Sequence, residues 1–594
     1  MRATTTNNGT RNNAQPKNRQ VIQRESSGTK LIEQSRTRLL CIIVFFAMSF
    51  LGITGKLMEI TILHRNPEAP ETNTASPVSD DKIVDENALP MSITRNDIVD
   101  RNGLVLATSL ITQSLFANPR IITDPDQTAR KLVKIFPDLH EHIIAKRLKS
   151  NGTFVWIKRN LTPREENAVN NLGIPGLYFQ PEQKRVYPYK NLFSHVVGFV
   201  GLDGTGLAGI EKYFDKQLRN TKDYKKPLQL SLDLRLQNIV AEEIRKGMDE
   251  FNAIGATGII LDLHNGEILA MANVPDFDPN RPADFPAVNL FNRASLGSYE
   301  MGSTFKTFTT AMALDYGTVN LNDGFDASRP FMFDHNIIKD DHPKNRWLTI
   351  PEIYTYSSNI GTARMVMAVG KEKQQIFLHK LGLMDSKVNI ELPELGSPQY
   401  PKNWSEISSI TISYGHGMAV TPLHLMRAFA AIVNGGTYEN MTLVKDGNAD
   451  KPAPERVIKD ATSRELRRLM RLVVQFGTGK QADVPGYRVG GKTGTAEKVK
   501  STGGYSHHSN LSLFISTFPV DDPKYIVLVM MDDPKGNKAS HGFTTAGWVA
   551  APFVGDIISR MAPLLGLRPE FDVPEDPVNK YWLNNAIQRL SIKD

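Results

Sequence analysis

A single cysteine, Cys41, is all the thiol that 594 residues contain, so no intrachain disulfide can form and stability must come from core burial. No Cys and His residues recur at zinc-ligand spacing. The one histidine pair, His507-His508, sits in the Gly/Ser-rich run from Ser501 to Ser509, which reads as a solvated loop without a metal. Net positive charge is also scarce outside the N-terminus. The first 38 residues hold eight Lys/Arg against Glu25 and Glu33, so six of the seven net positive charges lie there. That removes the main support for a nucleic-acid partner. Charge is missing altogether from Leu39 to Gly55, 17 residues between Arg38 and Lys56, near the lower limit for one membrane span. Its basic leader is long for a signal peptide, and no small-x-small cleavage site appears before Leu57. The run is therefore expected to be an uncleaved anchor at 39–58, with residues 1–38 a cytoplasmic tail, 59–90 a linker and the rest across the membrane. Cys41 falls inside it as a small apolar residue.

What the chain does hold is three short stretches in order, Ser303-Thr-Phe-Lys306, Ser357-Ser-Asn359 and Lys492-Thr-Gly-Thr495. Ser303 follows Glu300-Met-Gly and leads into a helical run, so it sits at a loop-to-helix junction with Lys306 on the same face. A serine hydroxyl needs a neutral base within about 3 Å to attack a carbonyl, and Lys306 is the candidate. A solvated lysine, with a pKa of about 10.4, is charged; burial and a like charge, which Lys492 supplies, must depress it. The backbone N–H groups of Ser303 and Thr495 are the expected oxyanion donors, each typically about 3 kcal/mol of barrier. The reading is acyl transfer through a serine, which requires no metal or organic cofactor.

Each stretch alone is weak. Ser-x-x-Lys also occurs at Ser27–Lys30 and Ser79–Lys82, and Ser-x-Asn fits a turn or a helix cap. Gly486 to Thr493 even fits the pattern of a phosphate loop. No apolar strand precedes Gly486, however, and Thr495-Ala-Glu-Lys498 continues as an extended segment, against a nucleotide site. The order of the three selects the acyl-transfer reading.

Around them the chain divides into a block at 91–225, a larger one at 226–566 and a tail at 567–594. In the first block, Arg101-Asn-Gly103 reads as a hairpin turn, residues 125–172 as helical pieces, and Val196 to Glu211 as strand and turn signals. In the second, apolar strands at Ala256–Asp262 and Gly266–Ala272 precede a helix-rich middle from Ser303 to about Asn434. Strands at Leu511–Phe518 and Tyr525–Met531 and a closing helix at Val549–Leu565 follow. Sheet, helices, sheet predicts an α/β architecture with helices on both faces of a largely antiparallel sheet.

With these three stretches, Arg95 to Ser109, Arg185 to Pro188, Gly209-Ile-Glu211, Val274 to Asn280 and Thr421-Pro-Leu423 resemble class B penicillin-binding proteins over about residues 91–562. Gly491 to Lys498 and Met531 to Gly536 are most similar to the septal, FtsI type. The resemblance implies a penicillin-binding transpeptidase (serine β-lactamase-like) domain, with a central antiparallel sheet flanked by helices. An elongated α+β non-catalytic pedestal of dimerisation type and one N-terminal transmembrane helix would precede it. It implies a peptidoglycan D,D-transpeptidase in which Ser303 attacks the penultimate D-Ala of a stem peptide and Lys306 is the base. Ser357 and Asn359 would relay a proton and hold the substrate amide, Lys492 would tune the field, and Thr493, Gly494 and Thr495 would bind the terminal carboxylate that a β-lactam imitates. The implied partners are stem peptides, β-lactams, the membrane, a SEDS-type glycan polymerase and other division proteins, and no nucleic acid. The implied location is the bacterial inner membrane, single-pass, with a periplasmic catalytic domain at the septum. An elongation-type transpeptidase, a D,D-carboxypeptidase and a catalytically weak penicillin-binding sensor share the same motifs. Asn96, Met301 and His424 depart from the family's usual Gly, Pro and Gln. Glu300, Tyr414 and Gly415 either border the cleft or serve as a cap-side charge and a turn. Ser358 is expected to point into helix packing, and Asp532-Asp533 to open a loop.

Overall fold

The computed structural model describes residues 48, 95–220, 226–438, 440–448, 455–499 and 504–572. The expected tail, the anchor apart from Met48, Cys41, the linker, and residues 573–594 lie outside the described residues. Among the described residues no helix is long and apolar enough to cross a membrane.

The first block is built on a long strand. Strand β1 (Ile98–Val99) turns back into β2 (Val105–Ala117), and the Asp100 carboxylate fixes the turn by accepting the N–H groups of Asn102 at 2.8 Å and Leu104 at 2.9 Å. Helices α1 (Pro125–Ile135) and α2 (Glu141–Leu148) come next, followed by β3 (Val155–Leu161), α3 (Pro163–Asn170) and β4 (Leu177–Val186). Both β3 and β4 pair antiparallel with β2. Leu115 of β2, Leu132 and Phe136 at α1, Ile144 and Leu148 of α2 and Ile157 of β3 form its core. The sequence predicts helical pieces throughout 125–172. Strand β3 interrupts them, because Val155 and Ile157 stand two apart at the strand period and β2 offers their backbone a partner. Val196–Glu211, expected as strand and turn, has an antiparallel bridge between Val200 and Gly206, but it also overlaps short helices at Ser194–Val197 and Gly209–Tyr213. The second brings Glu211 into the interior, where it joins Arg95 and Arg185: Arg95 Nε donates to Glu211 Oε2 at 2.7 Å and Arg185 Nε to Oε1 at 2.8 Å. Arg95 also reaches Asp215 at 2.8 Å.

Strand β5 (Leu228–Gln229) runs parallel to β1 and leads to α4 (Leu234–Glu250), whose N-cap Asp233 accepts from Arg235 N at 2.9 Å. Then β6 (Gly255–Asp262) and β7 (Ile268–Val274) form a hairpin. The middle of the chain supplies α5 (Phe305–Asp315), α6 (Ile350–Thr355), α7 (Asn359–Val369), α8 (Pro422–Val433) and α9 (Asp460–Gln475). It then returns as β8 (Gly490–Val499), β9 (Tyr505–Phe518) and β10 (Tyr525–Asp532), and helix α10 (Ala551–Leu564) follows. The five strands lie in the order β8-β9-β10-β6-β7, antiparallel throughout. Strand β10 shows why both faces carry helices. Ile526, Leu528 and Met530 point into the core shared with α5, α7 and α8, while Val527, Val529 and Met531 point into the one shared with α4 and α10.

The helix-rich middle also contains β pairs that the sequence reading left out. Gly324–Asp326 pairs with Trp347–Thr349, and Phe331–Phe333 pairs with Asn336–Ile338. Segments of three residues are too short to reveal a period of two. The expected loop at His507-His508 is also strand, since β9 starts at Tyr505; the side chains of both histidines lie outside the described residues.

Candidate active site

Helix α5 begins just after the 3-10 turn Gly302–Thr304, so Ser303 stands at the junction and Lys306 rises in the first turn. Lys306 Nζ lies 2.7 Å from Ser303 Oγ. It also meets Ser357 O at 2.9 Å, Ser357 Oγ at 3.0 Å and Asn359 Oδ1 at 2.7 Å. The short link between α6 and α7 supplies these groups. Ser357 there has φ +58°, a left-handed conformation that costs a non-glycine residue about 1–2 kcal/mol. Ser358 is the N-cap of α7, accepting Gly361 N at 3.0 Å and donating to Asp340 at 2.8 Å. Its hydroxyl is thus committed to the helix end, while the Ser357 hydroxyl and the Asn359 amide oxygen meet the lysines.

Strand β8 brings the third stretch. Lys492 Nζ lies 3.1 Å from Ser357 Oγ, so one hydroxyl bridges both amines. The two lysines are 1% and 0% exposed. Burial pushes the Lys306 ammonium down to about 8, with Asp340 and Asp341 pulling the other way. Burial first, then the charge of Lys306, holds Lys492 well below the usual lysine range. The sequence reading gave a like charge from Lys492 a share in depressing Lys306; here desolvation is the chief cause, and the like-charge effect falls on Lys492.

Close approach of the Ser303 turn to β8 depends on glycine. At Gly302, φ is +51°, and a Cβ would stand 2.3 Å from Thr495 O. At Gly415 a Cβ would stand 1.8 Å from Gly302 O, so the turn after Tyr414 packs directly behind the nucleophile's own turn. Glu300 holds that turn by accepting Gly417 N at 2.8 Å and meeting His416 Nδ1 at 3.2 Å. The hydroxyl of Thr493 bonds to that of Thr478 at 2.7 Å, and Thr495 Oγ1 accepts Ala546 N at 3.1 Å. Gly494 lies between them, against Met301 O. All eight residues singled out from sequence are on these adjoining elements.

Sequence reasoning missed three supports. The Tyr354 ring stands 5.8 Å from Lys492 Nζ, and its hydroxyl bonds to Thr307 at 2.9 Å. Thr478 orients Thr493, and Asp340 holds the start of α7 through Ser358 and Ile360 N. None carries a local signature, since each acts across a long sequence separation. Asp532 is explained by its contacts: it ends β10 and pairs with Lys498 at 2.6 Å, while Asp533 meets Lys535 at 2.7 Å. Among the described residues no group of His, Cys, Asp and Glu side chains is arranged to hold a metal ion. A cavity of about 670 Å³ between Tyr189, Arg235 and Arg560 involves none of the eight residues.

The chain matches the family model of the penicillin-binding protein transpeptidase domain over residues 256–558 and that of the penicillin-binding protein dimerisation domain over 90–249. It is 39% identical to a probable peptidoglycan D,D-transpeptidase FtsI of Caulobacter vibrioides, over 80% of this chain and 82% of that protein. It is 34% identical to a probable peptidoglycan D,D-transpeptidase PenA of Neisseria gonorrhoeae, over 82% of this chain and 87% of the relative. Its fold is similar to the crystal structure of penicillin binding protein 3 from Mycobacterium tuberculosis complexed with ampicillin. The TM-score is 0.64 at 24% identity, covering 82% of this chain and 98% of the other.

Proposed function

Since the chain belongs to the class B penicillin-binding proteins of the FtsI type, we propose that it is a peptidoglycan D,D-transpeptidase working through an acyl ester on Ser303. The observation that carries the mechanism is the placement of Lys306. Ser357 O and Asn359 Oδ1 can only accept, so they take the two N–H groups of a neutral amine and leave its lone pair to Ser303 Oγ at 2.7 Å. Ser303 Oγ attacks the carbonyl of the penultimate D-Ala while its proton passes to Lys306, a step worth about 10²–10⁴ in rate. Backbone N–H groups of Ser303 and Thr495 stabilise the oxyanion. The proton then reaches the leaving nitrogen through the Ser357 hydroxyl, the C–N bond breaks and terminal D-Ala departs. Asn359 holds the substrate amide. Thr493, Gly494 and Thr495 receive the terminal carboxylate, whose charge favours the protonated form of the buried Lys492. A β-lactam carboxylate occupies the same place.

The anchor at 39–58 tethers a pedestal at 91–225 and a catalytic domain at 226–566 to the outer face of the inner membrane. The basic tail remains in the cytoplasm, 59–90 is the linker and 567–594 the tail. The work site is the division septum, with a SEDS-type glycan polymerase and other division proteins as partners. Support comes from the apolar run beside the basic leader and from the FtsI relatives.

Labelling with a fluorescent penicillin followed by peptide mass spectrometry tests the chemistry. The adduct is expected on the peptide carrying Ser303, and labelling that survives in Ser303→Ala overturns the assignment. Depletion in cells is expected to give filaments; rounded cells would point to elongation instead.

A further inference from the structure

One side chain touches the elements that carry all three stretches of the cleft, and none of the steps above assigns it a role. Tyr354, on α6, is completely buried. Its hydroxyl bonds to that of Thr307, which follows Lys306 on α5, at 2.9 Å. Its backbone carbonyl accepts Ser357 N at 3.3 Å, and Lys492 Nζ of β8 stands over its ring, 5.8 Å from the centroid. The ring is held at both ends, by its hydroxyl and by its backbone, against one amine.

A charge on that amine has little else to support it. The polar partners of Lys492 Nζ are Ser357 Oγ at 3.1 Å and Thr493 O and Oγ1, both at 3.4 Å, all neutral, and the Ser357 hydroxyl is shared with Lys306. Burial first, then the charge of Lys306, opposes the ammonium form, while Asp340 and Asp341 act on Lys306. The face of an aromatic ring attracts a cation through its quadrupole, more strongly where water is excluded. It does so without adding a negative charge. A carboxylate in the same place would pair with the ammonium permanently and repel a second carboxylate. A ring leaves the ammonium to an incoming anion.

We propose that Tyr354 is a positioning residue of the donor site: its ring, held against Lys492, supports the ammonium that attracts the donor's carboxylate, and so sets how strongly the enzyme prefers a carboxylate-bearing ligand. The inference rests on the transpeptidase reading above, in which Thr493, Gly494 and Thr495 receive that carboxylate. The ring acts through Lys492 and touches no reacting atom. Its effect is therefore confined to ligands that carry the anion, whereas the attack of Ser303 Oγ on the carbonyl is common to all of them.

The test compares benzylpenicillin with its methyl ester, which offers the same carbonyl but masks the carboxylate. Acylation of the full chain by each is followed by intact-protein mass spectrometry, and the readout is the ratio of the two rates, in which general damage to Ser303 or Lys306 cancels. Tyr354→Leu and Tyr354→Met both remove the ring and are expected to lower the ratio about fivefold by slowing benzylpenicillin alone. Tyr354→Phe keeps the ring without the hydroxyl and should hold the ratio within about twofold of the parent. An unchanged ratio in the two ringless variants, whether or not both rates fall, overturns the proposal while leaving the acyl-enzyme reading intact. A ratio that falls as far in Tyr354→Phe assigns the effect to the bond with Thr307 and also overturns it. A parent chain that forms no ester at Ser303 with either ligand sinks the transpeptidase reading itself.

Discussion

The pedestal and the cleft both bury cations, and they do so by opposite means. In the pedestal, Arg95 and Arg185 close on Glu211, which is 0% exposed, and Asp215 takes a further bond from Arg95. In the cleft, the hydrogen-bond partners of Lys306 are two hydroxyls, a backbone carbonyl and an amide oxygen, all neutral. A guanidinium keeps its proton, so burying one demands a carboxylate. An ammonium can shed its proton, and burial among neutral acceptors makes that the cheaper outcome. The first arrangement ties three distant segments together and is inert. The second yields a base.

Replacing the amine by the group used in the pedestal breaks this contrast most sharply. Lys306→Arg keeps a cation but not a removable proton, and acylation by fluorescent penicillin should slow by up to about 10⁴-fold in stopped-flow measurements. A loss below about tenfold would mean that the proton goes elsewhere. In the pedestal, Glu211→Ala leaves two buried guanidinium groups without their shared carboxylate, and urea unfolding should show a loss of about 3–5 kcal/mol. Acylation per folded molecule should hold near the parent value, because Glu211 belongs to the pedestal's ion cluster and not to the cleft. The gentlest probe is pH. With Lys306 depressed to about 8, its unprotonated fraction rises with pH, so the acylation rate should climb about tenfold from pH 7 to a plateau above pH 9. A rate flat across that interval would remove Lys306 as the titrating base. The same depression costs stability below about pH 8 and releases it as pH rises towards an unfolded lysine's pKa of about 10.4, since the unfolded chain then binds more protons.

Much of the cleft was legible because its chemistry is written in local patterns. Ser303 and Lys306 are one turn apart, and a helix converts that spacing into contact. Apolar runs such as Tyr525–Met531 announced buried strands, and β10 occupies Tyr525–Asp532. The short pairs at Gly324–Asp326 and Phe331–Phe333 were illegible, since three residues carry no period, and β3 was hidden inside a stretch read as helical. Tyr354 and Thr478 were missed for another reason: each matters only through a side chain that folding brings next to it.

By itself, the order of residues determined which reactive groups exist, which of them share a helix turn and which strands alternate, because those properties are set within a few residues by backbone geometry. Tertiary structure alone decided that one Ser357 hydroxyl would bridge two lysines, that Ser357 would adopt a positive φ, and that both ammonium groups would be stripped of water. Desolvation is a property of everything that surrounds a group, and here the surroundings come from elements more than a hundred residues apart.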